Sequence, residues 1–328
     1  MNKIDMQIDE FMIYCQAKNL SRKTTKSYEQ TLRLFARYLE DVNKITDASK
    51  VTDKIIRQYI LFIQERGKYT VTYDINSKER NNPDIRKDLG KKVSPSTINN
   101  YIRNIKVVYS FLKEQGLVKS QIMKNIKALK HDRVPKEFIE DVEIIRLLKN
   151  LDNSRFHEFR DGIIIQTLLD TGMRVGECLS ITIEDLDLTS RSIMLSSDIT
   201  KSKKYRYVYF SQELQKELRR WLQYKDRYLD SEFLFPSSKK KKLEISSFET
   251  NLRVYGERIG IEICAHQLRN NFAKRFLMAG GNIFTLSKIL GHSSVTVTEK
   301  AYLDLTDADI RKNYQMFSPL SNMKKGGK

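Results

Sequence analysis

Apolar positions recur every three or four residues through most of the chain, and that spacing predicts a protein built mainly of amphipathic helices. Ile8 to Gln16 reads as a first short helix. Ser21 stands as an N-cap before a helix from Arg22 to Leu39, where Tyr28, Leu32, Phe35 and Leu39 mark one face. Val51 to Gln64 repeats the pattern. From Gly67 to Lys92 it fails, and polar, Gly- and Asn-bearing sequence predicts a long loop or a small hairpin insertion. Ser94-Pro95-Ser96 then opens another helix with proline at its first position. VSPSTINNYIRNIKVVYSFL echoes LSRKTTKSYEQTLRLFARYL: Ser94 matches Ser21, Thr97 matches Thr24, Tyr101 matches Tyr28 and Leu112 matches Leu39. Two similar helical hairpins or two unrelated capped helices both fit one echo.

Residues 125–136, NIKALKHDRVPK, are basic, aperiodic and carry Pro135, so a domain boundary is placed there. The expected division is a helical domain over 1–128, a linker over 129–136, a second domain over 137–318 and a flexible tail over 319–328. Helices are expected at Ile139 to Leu151, Phe156 to Thr171 and Arg174 to Ile181. The period then shifts to two, which predicts strands at Arg191 to Ser197 and Tyr205 to Phe210 and a short one at Glu232 to Phe235. Helices follow at Leu214 to Tyr228, Ser246 to Ile259, His266 to Ala279, Ile283 to Leu290 and Val295 to Leu303, with a last one at Asp307 to Phe317. The fold class is therefore mainly α with a small antiparallel β-sheet.

Composition sharpens the picture. The formal net charge is +18, from 59 Lys and Arg against 41 Asp and Glu. Lys91 to Lys130 alone holds nine basic residues against one acid, Glu114. Such a chain is drawn to polyanions, nucleic acid foremost, although charge alone would also suit a membrane surface or a ribosome. No apolar run is long enough to span a bilayer and the N-terminus lacks the apolar core of a signal peptide, so a cytoplasmic protein is expected. Three scattered cysteines, Cys15, Cys178 and Cys264, and four histidines support neither a disulfide framework nor a metal site.

The chemistry gathers in the C-terminal half. Arg174 follows a glycine turn in Thr-Gly-Met-Arg-Val-Gly-Glu, and Glu177 one turn on either orients its guanidinium or is a surface acid. Lys201 lies in the turn between the two longer strands. His266 and Arg269 are one helical turn apart and can face a single anion. His292 follows Leu290-Gly291, and Tyr302 lies ten residues beyond it. Each signal is common by itself; their order and spacing carry the weight.

Arg174, Lys201, His266-x-x-Arg269, His292 and Tyr302, within TGMRVGECLSI, ITKSKKYRYVYF, HQLRNNFAKRFLMAGG and LGHSSVTVTEKAY, resemble the active-site set of the tyrosine recombinases. This is the family of phage integrases, Xer resolvases, Cre and integrases of mobile elements. The resemblance covers most of the C-terminal half, and the N-terminal layout is similar, more loosely, to the family's helical SAM-like core-binding domain. It implies a mixed α/β catalytic domain which closes with the helical domain as a C-shaped clamp on DNA.

What the resemblance implies for chemistry agrees with the residue types. The extra negative charge of a pentacoordinate phosphorus needs fixed cations, a role for the forks of Arg174 and Arg269. Tyr302 would be the nucleophile, with a solution pKa of about 10, and His266 the base that takes its proton. Lys201 would protonate the departing 5′-oxygen, His292 would support the phosphate by a hydrogen bond, and Glu177 would support Arg174. The product would be a 3′-phosphotyrosyl DNA, which conserves bond energy, so no metal, ATP or other cofactor is expected. Two rounds of exchange through a Holliday junction would require a homotetramer on two double-stranded sites with inverted-repeat core sequences, from a free monomer or dimer, with accessory proteins in some systems. Ile310, Tyr314, Met316 and Phe317 form an apolar stripe that could dock on a neighbouring protomer or on its own chain. DNA contacts in the helical domain are assigned to Arg22, Lys23, Thr24, Lys26, Ser96, Thr97, Asn100, Arg103 and Lys106, at the starts and along the exposed faces of the two echoing helices. A type IB topoisomerase, with a similar Arg, Lys, Arg, His, Tyr set, and a silent DNA-binding protein of the same fold are the alternatives.

Overall fold

The structure is a computed structural model of the full chain, and it describes residues 3–73, 83–118, 122–130, 138–198, 200, 205–292, 294–302, 311, 314 and 320, with backbone alone at 83, 297 and 300–302. Two compact units divide at residue 133/134.

The first unit is helical: α1 (Lys3–Ala17), α2 (Arg22–Asn43), α3 (Asp53–Arg66) and α4 (Pro95–Glu114). Ser21 caps α2, with its hydroxyl accepting from the Thr24 amide at 3.2 Å, and Ser94 caps α4 by accepting from the Thr97 amide at 3.3 Å. In both, the serine and threonine hydroxyls also meet, at 2.8 and 2.9 Å, so the sequence echo is matched by one repeated cap geometry. Phe11, Leu32, Phe35, Leu39, Tyr59 and Ile105 form the core that closes these helices on one another. Between α2 and α4, the buried Asn104 amide donates to the Ser27 carbonyl at 3.2 Å and the Thr31 hydroxyl at 3.0 Å. At the base of the 67–92 insertion, Lys68 exchanges backbone bonds with Lys91 (2.8 Å) and Gly90 (2.9 Å). The middle of that insertion lies outside the described residues.

The second unit contains α5 (Asp141–Lys149), α6 (Phe156–Thr171), the one-turn α7 (Val175–Cys178), the strands β1 (Leu186–Asp187), β2 (Ser192–Leu195) and β3 (Arg206–Tyr209), then α8 (Gln212–Tyr228), α9 (Ile245–Ile259), α10 (Ala265–Met278), α11 (Ile283–Leu290) and α12 (Val295–Tyr302). Helix α6 is buried on nearly all faces and forms the axis of the unit. Its charged residues are paired: Glu158 is held by Arg258, and Asp161 accepts from Arg160, Asn251 and the Tyr255 hydroxyl. Trp221 of α8 is fully buried and donates to the Leu234 carbonyl at 2.8 Å.

Three expectations need correction. The helix placed over Arg174 to Ile181 lasts only from Val175 to Cys178. Ile181 to Ile183 must be extended to meet Glu232 to Leu234, through Leu234 N to Ile181 O (2.9 Å) and Ile183 N to Glu232 O (2.8 Å). That partner stretch, expected as a strand, forms only an isolated bridge, Phe233 to Thr182, and a second bridge joins Pro236 to Lys242 just beyond it. The sheet has three antiparallel strands in the order β1-β2-β3, since Leu186 and Asp187 add an edge opposite Ile193 and Ser192. Of the last expected helix, only Arg311 and Tyr314 are described, both helical; Ile310, Met316, Phe317 and the tail from 321 lie outside.

Candidate active site

Two glycine-ended helices supply the floor of the site. Helix α6 stops at Gly172 and α11 at Gly291, each in the left-handed conformation (φ 64° and 62°) that glycine adopts without a Cβ penalty. Both also need the missing side chain for space. A Cβ at Gly172 would sit 2.2 Å from the Phe272 ring, and one at Gly291 2.9 Å from the Arg206 guanidinium. These turns expose the last carbonyls of each helix, which have no partner within it.

Arg269 uses them. From the second turn of α10 and only 6% exposed, it donates to Gly172 O and to Leu290 O, both at 2.7 Å. Its Nη2 also lies 3.1 Å from His292 Nε2. Arg174, next after Gly172 and Met173, points its Nη2 toward Gly291 O at 3.5 Å and donates from Nη1 to Glu177 Oε1 at 3.0 Å. Glu177, 2% exposed, accepts the Arg174 backbone amide at 2.8 Å too, so one carboxylate fixes both ends of that residue. Of the two sequence readings of Glu177, the surface acid does not fit this burial.

Arg206 completes the cluster, and sequence reading missed it. From the first position of β3 it makes a bidentate pair with Glu177 (3.1 and 2.7 Å) and donates from Nε to Ile289 O at 3.1 Å. A signal was present. Tyr205, Tyr207 and Tyr209 share the exposed face of this strand, which leaves Arg206 on the inner face with Val208. A charge on the core side of a strand must have a buried partner.

Two guanidinium groups, those of Arg174 and Arg206, thus share the Glu177 carboxylate, and Arg269 joins them at His292. Burial pulls the Glu177 carboxyl upward, but hydrogen bonds from Arg206 and the Arg174 amide, with the two positive charges, outweigh it and hold the group below its ordinary range. His292 is lowered as well, but here the deprotonated form is the neutral one: burial first, then Arg269, Arg174 and Arg206, bring it to about 4, and the imidazole is uncharged at physiological pH. Its other nitrogen, Nδ1, is 2.6 Å from the Thr298 hydroxyl on α12. The structure therefore brings together Arg174, Glu177, Arg269 and His292, and adds Arg206 and Thr298. His266 is exposed at the second position of α10, one turn before Arg269. Tyr302 ends α12 and is described by its backbone, while Lys201 lies outside the described residues.

In the helical unit the proposed DNA-contacting side chains Arg22, Lys23, Lys26, Ser96, Thr97, Arg103 and Lys106 are exposed, and Thr24 and Asn100 are partly so. Thr24 and Thr97 are tied to the cap serines, and Arg103 donates to the Asn100 side chain.

The arginine cluster of the second unit offers fixed cations to an anion. Known proteins resemble the chain throughout. Residues 137–309 match the phage integrase family, and residues 8–73 match the N-terminal SAM-like domain of phage integrases. Tyrosine recombinase XerC of Oceanobacillus iheyensis is 25% identical over 98% of this chain and 99% of its own length, and XerD of Listeria monocytogenes is 25% identical over 92% and 94%. Among solved structures, the Tn1549 transposon integrase in complex with transposon right end DNA shares the fold with a TM-score of 0.72 at 17% identity, over 97% of this chain and 100% of that one. With more than half of its length matched by the family model, the chain belongs to the phage integrase family, the tyrosine recombinases.

Proposed function

We propose that this tyrosine site-specific recombinase cuts double-stranded DNA with Tyr302, through a 3′-phosphotyrosine and a Holliday junction, for integration and excision of a mobile element or for dimer resolution. The observation that carries the reading is the cluster of Arg174, Arg206 and Arg269 beside His292, with Arg174 and Arg206 tied by the carboxylate of Glu177 and Arg269 by the carbonyls of Gly172 and Leu290. Pentacoordinate phosphorus adds negative charge to the non-bridging oxygens. Arg174 and Arg269 meet it with prepaid orientation, which is where electrostatic catalysis gains most. Neutral His292 supports the phosphate by a hydrogen bond. His266, exposed and one turn from Arg269, takes the Tyr302 proton, and Lys201 returns one to the leaving 5′-oxygen. Each bond broken is replaced by one formed, from phosphodiester to phosphotyrosine and back, so neither ATP nor a metal is needed.

Domain roles follow: 1–128 as the DNA-contacting part, 129–136 as linker, 137–318 as the catalytic part and 319–328 as tail. Exposed Arg22, Lys23, Lys26, Arg103 and Lys106, with the hydroxyls of Ser96 and Thr97, suit phosphate contacts on inverted-repeat core sites. Two sites exchanging strands call for four protomers, and the stripe that includes the exposed Tyr314 suits docking between them. Among the described residues no helix is long and apolar enough to cross a membrane, in keeping with a cytoplasmic enzyme acting on the chromosome or a plasmid.

The test is incubation with a nicked suicide substrate from the flanks of its own gene. Wild type should accumulate a covalent protein–DNA complex and Tyr302→Phe none. A complex that persists in Tyr302→Phe overturns the nucleophile assignment.

A further inference from the structure

Helix α12 carries Tyr302 at its last residue, and Thr298 lies four residues earlier, one turn back on the same face. Thr298 is fully buried. A buried hydroxyl needs a hydrogen-bond partner, and this one has His292 Nδ1 at 2.6 Å. The direction of that bond can be worked out. Arg269 can only donate, so the His292 Nε2 that faces its Nη2 at 3.1 Å must accept. With the imidazole neutral, its single proton is then on Nδ1 and is donated to Thr298 Oγ1. The floor of the arginine cluster and the helix of the nucleophile are therefore joined by one side-chain bond.

We propose that Thr298 is a positioning residue, which seats helix α12 on His292 and so sets where Tyr302 stands relative to Arg174 and Arg269. This rests on the reading of Tyr302 as nucleophile. A hydroxyl is suited to the position for a second reason. When a phosphate oxygen takes the Arg269 fork, Nε2 turns from facing a donor to facing an acceptor and must itself donate. The imidazole proton is then on Nε2 and the bare Nδ1 accepts. Thr298 follows by rotating its O–H and donating in turn, with no net proton gained or lost. Valine, nearly the same shape, can do neither, while serine can do both.

Three measurements on the full chain test this: hydrogen exchange of the α12 amides without DNA, the His292 Nδ1–H resonance, and covalent complex formation on the suicide substrate beside gel-shift binding. Thr298→Val should bind DNA within about twofold of wild type but cut about 10- to 100-fold more slowly, the factor expected when a buried polar group loses its partner. Its α12 amides should exchange faster and the protected Nδ1–H resonance should disappear. Thr298→Ser should recover the rate to within a few-fold together with both spectroscopic signatures. Wild-type cleavage and exchange in Thr298→Val overturn the proposal, and so does a serine variant as slow as the valine one, because packing of the methyl group would then be responsible. Should Tyr302→Phe still form the covalent complex, the nucleophile reading fails instead, and the DNA-free measurements decide separately whether Thr298 holds α12.

Discussion

Glu177→Gln removes the carboxylate that Arg174 and Arg206 share, at almost no change in volume. The carboxylate accepts four hydrogen bonds, two from Arg174 and two from Arg206. Glutamine keeps one acceptor oxygen and turns two N–H donors toward guanidinium donors. Breaking one side of a buried pair costs about 3–5 kcal/mol. Arg174, with a side chain 32% exposed, regains water and its share is discounted, whereas Arg206, 12% exposed, has little access to water. The lower end, about 3 kcal/mol, is the working figure, and for a unit of this size it lowers the melting temperature by roughly 6–12 °C. The single tryptophan, Trp221, is buried in the second unit, so its fluorescence follows that unit without interference from the first. Adding Arg206→Met removes the orphaned charge as well, and the double variant should cost clearly less than the sum of the singles. A Glu177→Gln shift under about 1 °C, or simple additivity in the double variant, would refute the idea that this carboxylate is the tie of the cluster.

Other consequences are as direct. The folded-state His292 titrates near 4 and the unfolded one near 6.5, so the unfolded chain binds the extra proton; stability is intact above about pH 6.5 and falls as pH drops through that window, which thermal unfolding of the second unit from pH 7 to 4 should show. Gly291→Ala places a Cβ against Arg206 in a left-handed residue, a strain of about 1–3 kcal/mol, and should slow suicide-substrate cleavage more than it weakens DNA binding. Asn104→Leu leaves the Thr31 and Ser27 side chains without their tie across α2 and α4, and should cost the first unit about 1–3 kcal/mol in urea unfolding. Lys106→Ala should weaken DNA binding about equally on specific and random duplex and reduce the salt-dependence slope by about 1.

Local periodicity was enough for the helical unit, because each of its helices buries one stripe: Leu32, Phe35 and Leu39 of α2 are buried where the spacing placed them, and both cap serines do what their sequence context suggests. It failed where pairing across the chain decides. Cys178 to Ile181 has nothing against helix, yet the chain beyond Cys178 must straighten because Leu234 is waiting for the Ile181 carbonyl. Of the ordered set of types read from the sequence, Arg174, Arg269 and His292 come together, and the buried Glu177 ties Arg174 in place. Arg206 was legible only as an anomaly of strand alternation. Thr298 was not legible at all, since nothing in one sequence says which of many threonines will meet a histidine ring.

The way the arginines are held explains how three like charges can stand together. Three guanidinium groups gathered at one imidazole repel one another, and the bonds of Glu177 to Arg174 and Arg206 offset part of that repulsion. Helix ends supply the difference: the carbonyls of Gly172 and Leu290, and that of Ile289, are the unpaired and partly negative C-terminal groups of α6 and α11, and they accept from Arg269 and Arg206. Dipoles of this kind solvate a cation without cancelling its charge. Arg269 in particular spans two carbonyls from different helices with two nitrogens of one planar fork, which an ammonium group on a lysine stem could not do. The same contacts that close α6, α10 and α11 on each other therefore set Arg269 beside His292, so that folding the domain also builds the phosphate site proposed above.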